Sequence, residues 1–344
     1  MRIILDGIIF SLQPHGGISV YFRELLNYLA FSAVPTLLTL ENPIVQNLRE
    51  LPPKILVNLN NARIFERYRS ARIDDTGSVF HSTYYRQPYC SKIPVVVTVH
   101  DFTYEYFRNG PSRWIHTHQK YAAIRNAQSI ICISESTKDD LLKFVGLRSG
   151  QVIHVIPNGV GVSFGPLGIK PAGRPYILFV GERSGYKNFS LVLAALEFLP
   201  DFELHCVGGG KLRDEEFINT NPILRSRVLH LGFVTDQILN HEYNQAICLV
   251  YPSRYEGFGI PVVEAMKAGC PVVSSKCKAV IEIGGDALEQ LEDENPRSLA
   301  EAVLRLCEHD YRAIRIKKGL KRSLIYDWQR CHEQTLEVYR KLSA

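Results

Sequence analysis

Short apolar runs alternate with amphipathic stretches along most of the 344 residues. Arg2 to Leu5 reads as a strand, Gln13 to Gly17 as a glycine-containing loop, and Ile18 to Ala30 as an amphipathic helix. Val79-Phe80-His81, Val95 to Val99 and Ile130 to Ile133 are further apolar runs, each followed by polar residues. Ser134 to Phe144 then opens with Ser-Glu-Ser-Thr, which supplies capping oxygens for a helix. Strands alternating with helices predict a doubly wound α/β domain. After Pro157-Asn158-Gly159 the stretch from Gly161 to Pro175, rich in glycine and proline, reads as a linker. The pattern then restarts: Tyr176 to Val180, Glu203 to Val207, Val228 to Leu231, Cys248 to Tyr251 and Val272 to Ser274 read as strands, with Ser190 to Leu199 among the helices between them. Tyr326 to Leu342 closes the chain as a helix whose apolar stripe comprises Trp328, Cys331, Leu336 and Tyr339. The expected division is residues 1–165, 170–325 and a final helical segment 326–344, a length suited to two domains. No internal repeat or low-complexity tract interrupts it.

Composition changes this picture little. Apolar residues make up 46% and charged residues 22%, ordinary for a globular protein. The eight cysteines are scattered singly without metal or disulfide spacing, so they are expected to be reduced and the compartment cytoplasmic. No apolar run reaches membrane-spanning length, and the first residues read as a strand rather than a signal peptide. The charge is uneven: residues 1–165 hold 17 Lys and Arg against 12 Asp and Glu, and the remainder holds 23 of each. Arg63, Arg67, Arg69 and Arg72, interleaved with Ile64, Phe65 and Tyr68, concentrate that excess. They read either as a solvated helix face or as an attraction for anionic headgroups or an acidic lipid-linked acceptor. No nucleic-acid-binding motif accompanies them.

The candidate chemistry centres on Tyr255-Glu256-Gly257-Phe258-Gly259-Ile260-Pro261-Val262-Val263-Glu264-Ala265. Two carboxylates eight positions apart flank a glycine loop and a helix-starting proline, behind one strand and ahead of another. Such units bind ligands at the carboxyl ends of their strands. Gly257 and Gly259 allow close backbone approach, the helix start attracts an anion, and carboxylates accept hydrogen bonds from sugar hydroxyls. A nucleotide-sugar fits that combination. Taken singly, Glu264 is also favourable against a helix dipole and Glu256 is also ordinary in a solvated loop. Gly181 to Asn188 follows another strand and carries Arg183 and Lys187 beside a helix start, suited to a diphosphate, although it lacks the ending of a Walker A loop. Gly16-Gly17, ahead of the first long helix, is a weak signal alone, and His15 beside it reads as a surface residue. His100-Asp101 ends a strand and could serve proton transfer, but no nucleophile elbow completes a hydrolase triad. Phe80 to Tyr85 ends an earlier strand and suits either an acceptor wall or the core. Gly208-Gly209-Gly210-Lys211 lacks dinucleotide-fingerprint spacing, and Gly232-Phe233-Val234 is comparably weak.

The eleven-residue string closely resembles the donor-site signature of the retaining glycosyltransferases of family 4. That resemblance extends in order through the glycine loop, His-Asp, Pro-Asn-Gly, the Arg-x-x-x-Lys-Asn element, the glutamate pair and the closing helix. It implies the GT-B fold: two Rossmann-like domains facing across a deep cleft, the last helix crossing back to the first domain. By resemblance, Glu256 lies against the donor sugar and Glu264 holds the ribose hydroxyls, with Gly257, Phe258, Gly259 and Ile260 lining the donor. Arg183 and Lys187 neutralise the leaving diphosphate with Asn188 beside them, and Gly16 and Gly17 face the donor phosphates. The resemblance also puts His100 next to the donor sugar, with Asp101 shaping the pocket or meeting the acceptor, and makes Phe233 and Val234 candidates for facing the base. The overall character is similar to bacterial O-antigen mannosyltransferases, which favours GDP-mannose over a UDP-sugar as donor and a lipid-linked glycan as acceptor at the inner face of the cytoplasmic membrane.

No cofactor and no metal are expected. The Asp-x-Asp motif of the other main glycosyltransferase fold is absent, and no cysteine pair joins His116 and His118 at zinc spacing. One departure is Ser275 to Glu282, more basic than in relatives. Three further readings stand beside the GDP-mannose enzyme: a UDP-sugar transferase of the same family, a catalytically silent sugar-nucleotide-binding protein, and a hydrolase or epimerase on the same fold.

Overall fold

Strands buried at every position, such as Val95–Val99 and Tyr176–Val180, need helices over both faces, which is the environment of a parallel sheet. The computed structural model describes residues 1–13, 16–41, 51–73, 75, 77–90, 92–169, 172–183, 185–218 and 220–343. Its contacts divide the chain into Met1–Gly159 with Trp328–Ala344, and Val160–Asp327. In the first unit the described strands are β1 (Arg2–Leu5), β2 (Thr36–Glu41), β3 (Leu56–Asn60), β4 (Ser78–Ser82), β5 (Val95–Val99), β6 (Ser129–Cys132) and β7 (Val152–Val155), ordered β3-β2-β1-β4-β5-β6-β7. In the second they are β8 (Tyr176–Val180), β9 (Glu203–Val207), β10 (Val228–Gly232), β11 (Cys248–Tyr251), β12 (Val272–Ser274) and β13 (Glu289–Gln290), ordered β10-β9-β8-β11-β12-β13. Every recorded strand pairing in these sheets is parallel.

Each sheet winds in one direction and then in the other. In the second unit the reversal falls between β8 and β11, which pair at Cys248 with Ile177 and Leu249 with Leu178. A reversal leaves a crevice beyond the strands' carboxyl ends, because the flanking connections depart to opposite sides. In the first unit β1 and β4 are the corresponding neighbours. There Asp6, fully buried, accepts from the Thr83 amide (2.7 Å) and hydroxyl (2.8 Å), tying the two strand ends together.

The closing helix Trp328–Ser343 belongs to the first unit. Its apolar stripe, including Trp328, Cys331, Leu336 and Tyr339, joins Tyr21, Phe22 and Leu25 of the helix Gly17–Phe31 in one core. The Tyr339 hydroxyl and Thr98 Oγ1 hold the two ring nitrogens of His81 at 2.5 and 2.9 Å, and His332 stacks on Trp328. Burial drives the imidazoles of His81 and His332 down to about 3 and that of His100 to about 4. The folded state therefore keeps these rings neutral where the unfolded chain takes up protons near pH 6.5. Stability from this core is complete above that pH and declines as acid is added toward pH 4, by ~1.4 kcal/mol per pH unit for each proton bound on unfolding. Urea midpoints measured between pH 7.5 and 5 should fall accordingly, and His332→Phe should flatten the slope.

The Gly161–Pro175 stretch is fastened at three points: Asn240, Asn244 and Gln245 of the helix Asp236–Gln245 accept from the amides of Gly165, Leu167 and Ala172. One sequence expectation changes: the arginine-rich segment is not a helix face, having only a 3-10 turn at Glu66–Tyr68. Arg63 turns inward there, giving Glu66 hydrogen bonds of 2.8 and 2.7 Å. Among the described residues no helix is long and apolar enough to cross a membrane.

Candidate functional site

In the second unit the residues singled out from sequence follow β8, β10 and β11, so parallel pairing brings them to one sheet edge. Lys187 and Glu256, following the two strands that flank the reversal, meet there: Lys187 Nζ lies 2.5 Å from Glu256 Oε1, with both side chains 12% exposed. Lys187 also donates to the Tyr251 hydroxyl at 3.3 Å. Tyr251 is fully buried, and burial together with Glu256 raises its phenol well above the usual range, so it stays neutral. A cation and a carboxylate are thus held side by side at the crevice.

The glycine loop explains how Glu264 is placed. Gly259 has φ +106°, a conformation side chains resist, and from it the helix Ile260–Ala268 begins with Pro261 in its first turn and ends on left-handed Gly269. Glu264 lies within this helix and accepts from the Tyr243 hydroxyl at 3.0 Å. Desolvation pushes its carboxyl up to about 7, against the pull of Tyr243. Such a group gains from any further hydroxyl that donates to its ionised form. Phe258 and Gly257 are buried, and Phe258 packs edge-on against Tyr326. The Ser275 hydroxyl donates to the Ser253 carbonyl, fastening the loop after β11 to the end of β12.

Arg183 has a different set of partners from Lys187. Its guanidinium is nearly buried and pairs with Glu216 at 2.9 Å. It also donates to the carbonyls of Gly208 (3.1 Å), Gly210 (2.9 Å) and Lys211 (2.9 Å). It therefore braces the loop beyond β9, with four of its five N–H groups engaged. That loop carries more than its weak sequence signal suggested. Gly208, Gly209 and Gly210 all have positive φ, and a Cβ at Gly209 would lie 2.7 Å from the Gly181 carbonyl and 2.8 Å from Arg183 Nη1. Asn188, left-handed at φ 55°, precedes the helix Phe189–Leu196, and its amide reaches Glu294 at 3.3 Å. Phe233 and Val234 follow β10 at the outer strand, two strands from the reversal, with Phe233 72% exposed.

In the first unit His100 and Asp101 end β5. His100 is buried beside Tyr21, ring centroids 5.3 Å apart, and its Nε2 has no hydrogen-bond partner among the described residues. Asp101 accepts from the Thr103 amide at 2.8 Å. Its carbonyl accepts from Lys120 at 3.1 Å, and this fully buried lysine also pairs with Glu105 at 2.6 Å. Gly16 and Gly17 open the helix Gly17–Phe31 with no side-chain cap; His15 and Ser184 lie outside the described residues. Sequence reasoning missed Lys120, Glu105, Tyr243, Glu216 and Glu294. Each acts through a partner distant in the chain, so local pattern carried no signal for them. Among the described residues no group of three or more His, Cys, Asp or Glu is placed to hold a metal ion.

Paired doubly wound sheets of this kind define the GT-B glycosyltransferases. The chain belongs to that class: residues 15–164 match Glycosyltransferase Family 4, and residues 174–309 match Glycosyl transferases group 1. It is similar to the O-antigen chain mannosyltransferase B of Escherichia coli, at 25% identity over 239 residues, which are 64% of this chain and 63% of that protein. The match thus spans less than two thirds of that relative's length. Among solved structures it resembles sucrose-phosphate synthase from Thermosynechococcus elongatus, with a TM-score of 0.78, 20% identity and 99% of each chain covered. It also resembles Anabaena HepE in complex with UDP and glucose, with a TM-score of 0.68, 16% identity and 98% of each chain covered.

Proposed function

We propose that this protein is a retaining hexosyltransferase that moves a sugar from a nucleoside-diphosphate donor to a hydroxyl of a lipid-linked glycan in cell-surface polysaccharide synthesis. The observation that carries this reading is the Lys187–Glu256 pair at the strand reversal, with the protonatable Glu264 one helical segment onward. Lys187 offers positive charge to the departing diphosphate, Glu256 accepts hydrogen bonds from the sugar, and Glu264 accepts from the ribose diol. Arg183 acts by holding the Gly208–Lys211 loop and by adding its charge to the same edge. The acceptor oxygen bonds to the anomeric carbon as the bond to the β-phosphate oxygen breaks on the same face, and that phosphate oxygen takes the acceptor's proton. Mannose from GDP-mannose is the favoured cargo, because the Escherichia coli relative is named a mannosyltransferase. The UDP and glucose bound to HepE support a UDP-sugar as the second reading. The excess positive charge of the first unit suits peripheral contact with an anionic membrane surface.

The test is incubation with GDP-mannose or UDP-glucose and a lipid-linked acceptor, followed by NMR of the product. An α-linkage from an α-donor is expected, and an inverted anomer would overturn the retaining mechanism. A donor bound without turnover by any acceptor would instead mark a sugar-nucleotide-binding protein.

Glu264 makes the donor step pH-dependent. Its carboxyl sits near 7 when empty, and ribose hydroxyls donate only to advantage when it is ionised. Donor binding should therefore release a fraction of a proton near neutral pH and weaken as pH falls below 7. Calorimetry in buffers of differing ionisation enthalpy checks this, and Glu264→Gln should abolish the buffer dependence.

A further inference from the structure

Within the first unit the 3-10 turn Glu66–Tyr68, the loop after β4 and the helix Pro111–Asn126 line a half-open cavity of about 350 Å³. That is the lower end of the size of small-molecule sites. We propose that this cavity is a saccharide-binding subsite that holds a pyranose unit of the acceptor glycan. It deepens the acceptor half of the function proposed above and rests on that reading.

The walls have the chemistry of sugar recognition. Trp114, 68% exposed, stacks on His118 with ring centroids 5.6 Å apart. Tyr68, 47% exposed, is backed by the Arg67 guanidinium 5.0 Å from its ring centre. Flat rings presented in this way offer electron-rich faces to the weakly positive C–H bonds of a pyranose. Two amides are fixed in opposite senses beside them. Gln119 donates through Nε2 to the Arg67 carbonyl at 2.6 Å, which leaves Oε1 as an acceptor. Gln87 accepts from Asn126 at 2.7 Å, which leaves its NH2 group as a donor. Sugar hydroxyls both donate and accept, and this wall answers each.

The charge of the cavity disfavours a cation. No carboxylate lines it; of its two arginines, Arg86 is matched by Glu41 at 3.0 Å and Glu66 at 2.8 Å, and Arg69 donates through Nε to the Ile64 carbonyl at 3.0 Å. Backbone strain gathers here as well. Tyr85 in the wall has φ +61°, and Phe65 at the start of the turn has φ +58°. Bulky residues in that region mark positions the surroundings must hold, often at binding sites. The Tyr85 hydroxyl also bonds to the His100 backbone, linking the cavity wall to the polar end of β5.

The chain has two tryptophans, and Trp328 is buried, so emission changes report chiefly on Trp114. The full-length protein without donor is titrated with α-linked mannotetraose, maltotetraose, inorganic phosphate and phosphatidylglycerol vesicles. At least one saccharide should give a saturable emission shift, and phosphate should give none. Trp114→Ala and Tyr68→Ala should each weaken that saccharide about tenfold or more, read by saturation-transfer NMR, while nucleotide-sugar affinity is unchanged. Trp114→Phe should keep binding and lose the emission signal. No shift with either saccharide, binding indifferent to both alanine variants, or a shift with vesicles alone would overturn the subsite. Saccharide binding that persists in a protein with no transferase activity would instead overturn the enzyme reading and leave the subsite standing.

Discussion

Lys187→Ala is expected to lower kcat/KM for sugar transfer on the order of a hundredfold, as removal of a single donor to a developing oxyanion does. That corresponds to about 2.7 kcal/mol of transition-state stabilisation. The reason is position: Lys187 Nζ is held against Glu256 and Tyr251 where two strands of opposite winding part. Charge that builds on a departing phosphate at this point meets a cation already in place, without reorganisation. Because the interaction grows as the phosphate departs, kcat and kcat/KM should fall together. Lys187→Arg should recover part of the loss. Each side chain of the pair is only 12% exposed, so losing Lys187 leaves Glu256 without its cation, and urea unfolding of the variant is measured beside its activity. A loss of less than about threefold in a folded Lys187→Ala protein would remove Lys187 from the mechanism.

The largest effect on stability is expected from Arg86→Met. Arg86 is 1% exposed and faces Glu41 and Glu66 directly, with Asp6 at 3.9 Å. Burial raises the carboxyls of Asp6 and Glu41, and Arg86 opposes that rise. Glu66 is held down to about 2, chiefly by Arg63. Removing one partner of a buried ion network leaves uncompensated charge, which costs about 3–5 kcal/mol. The deficit has a pH signature. Without Arg86 the folded protein binds protons at Asp6 and Glu41 more readily than the unfolded chain does. The variant should therefore regain stability relative to wild type as pH falls from 8 to 5. Urea unfolding at the two pH values measures this, and a pH-independent deficit would rule out the carboxyls as its source.

Much of this molecule could be read from local pattern. The strands Arg2–Leu5, Val95–Val99, Tyr176–Val180, Glu203–Val207, Cys248–Tyr251 and Val272–Ser274 appear where the apolar runs place them, because a strand covered on both faces must be apolar throughout. The helix after Glu256 starts at its glycine and proline and stops at Gly269, since those residues act through their own φ angles. Strands β2, β3, β7 and β13 were not singled out; β3 is mostly exposed and β13 has two residues, so neither carries a strong hydrophobic signature.

Side-chain partnership was a different matter. Arg183 and Lys187 look equivalent in sequence, four residues apart in one basic loop. Folding gives the first to Glu216 and the carbonyls of the Gly208–Lys211 loop, and the second to Glu256. Arg86 was not singled out from sequence; β1, β2 and the 3-10 turn bring Asp6, Glu41 and Glu66 around it. The saccharide-sized cavity likewise joins residues near 68, 87 and 114 that no spacing relates.

By itself, then, the amino-acid order determined the alternation of elements, the two α/β halves and the identity of the acidic, basic and glycine-rich loops. Those depend on torsional preference and on which residues avoid water, both properties of neighbours along the chain. Tertiary structure alone decided which charge met which, how far Glu264 was desolvated and where a surface cavity remained. Electrostatic and packing energies depend on distance through space, and strand order sets that distance.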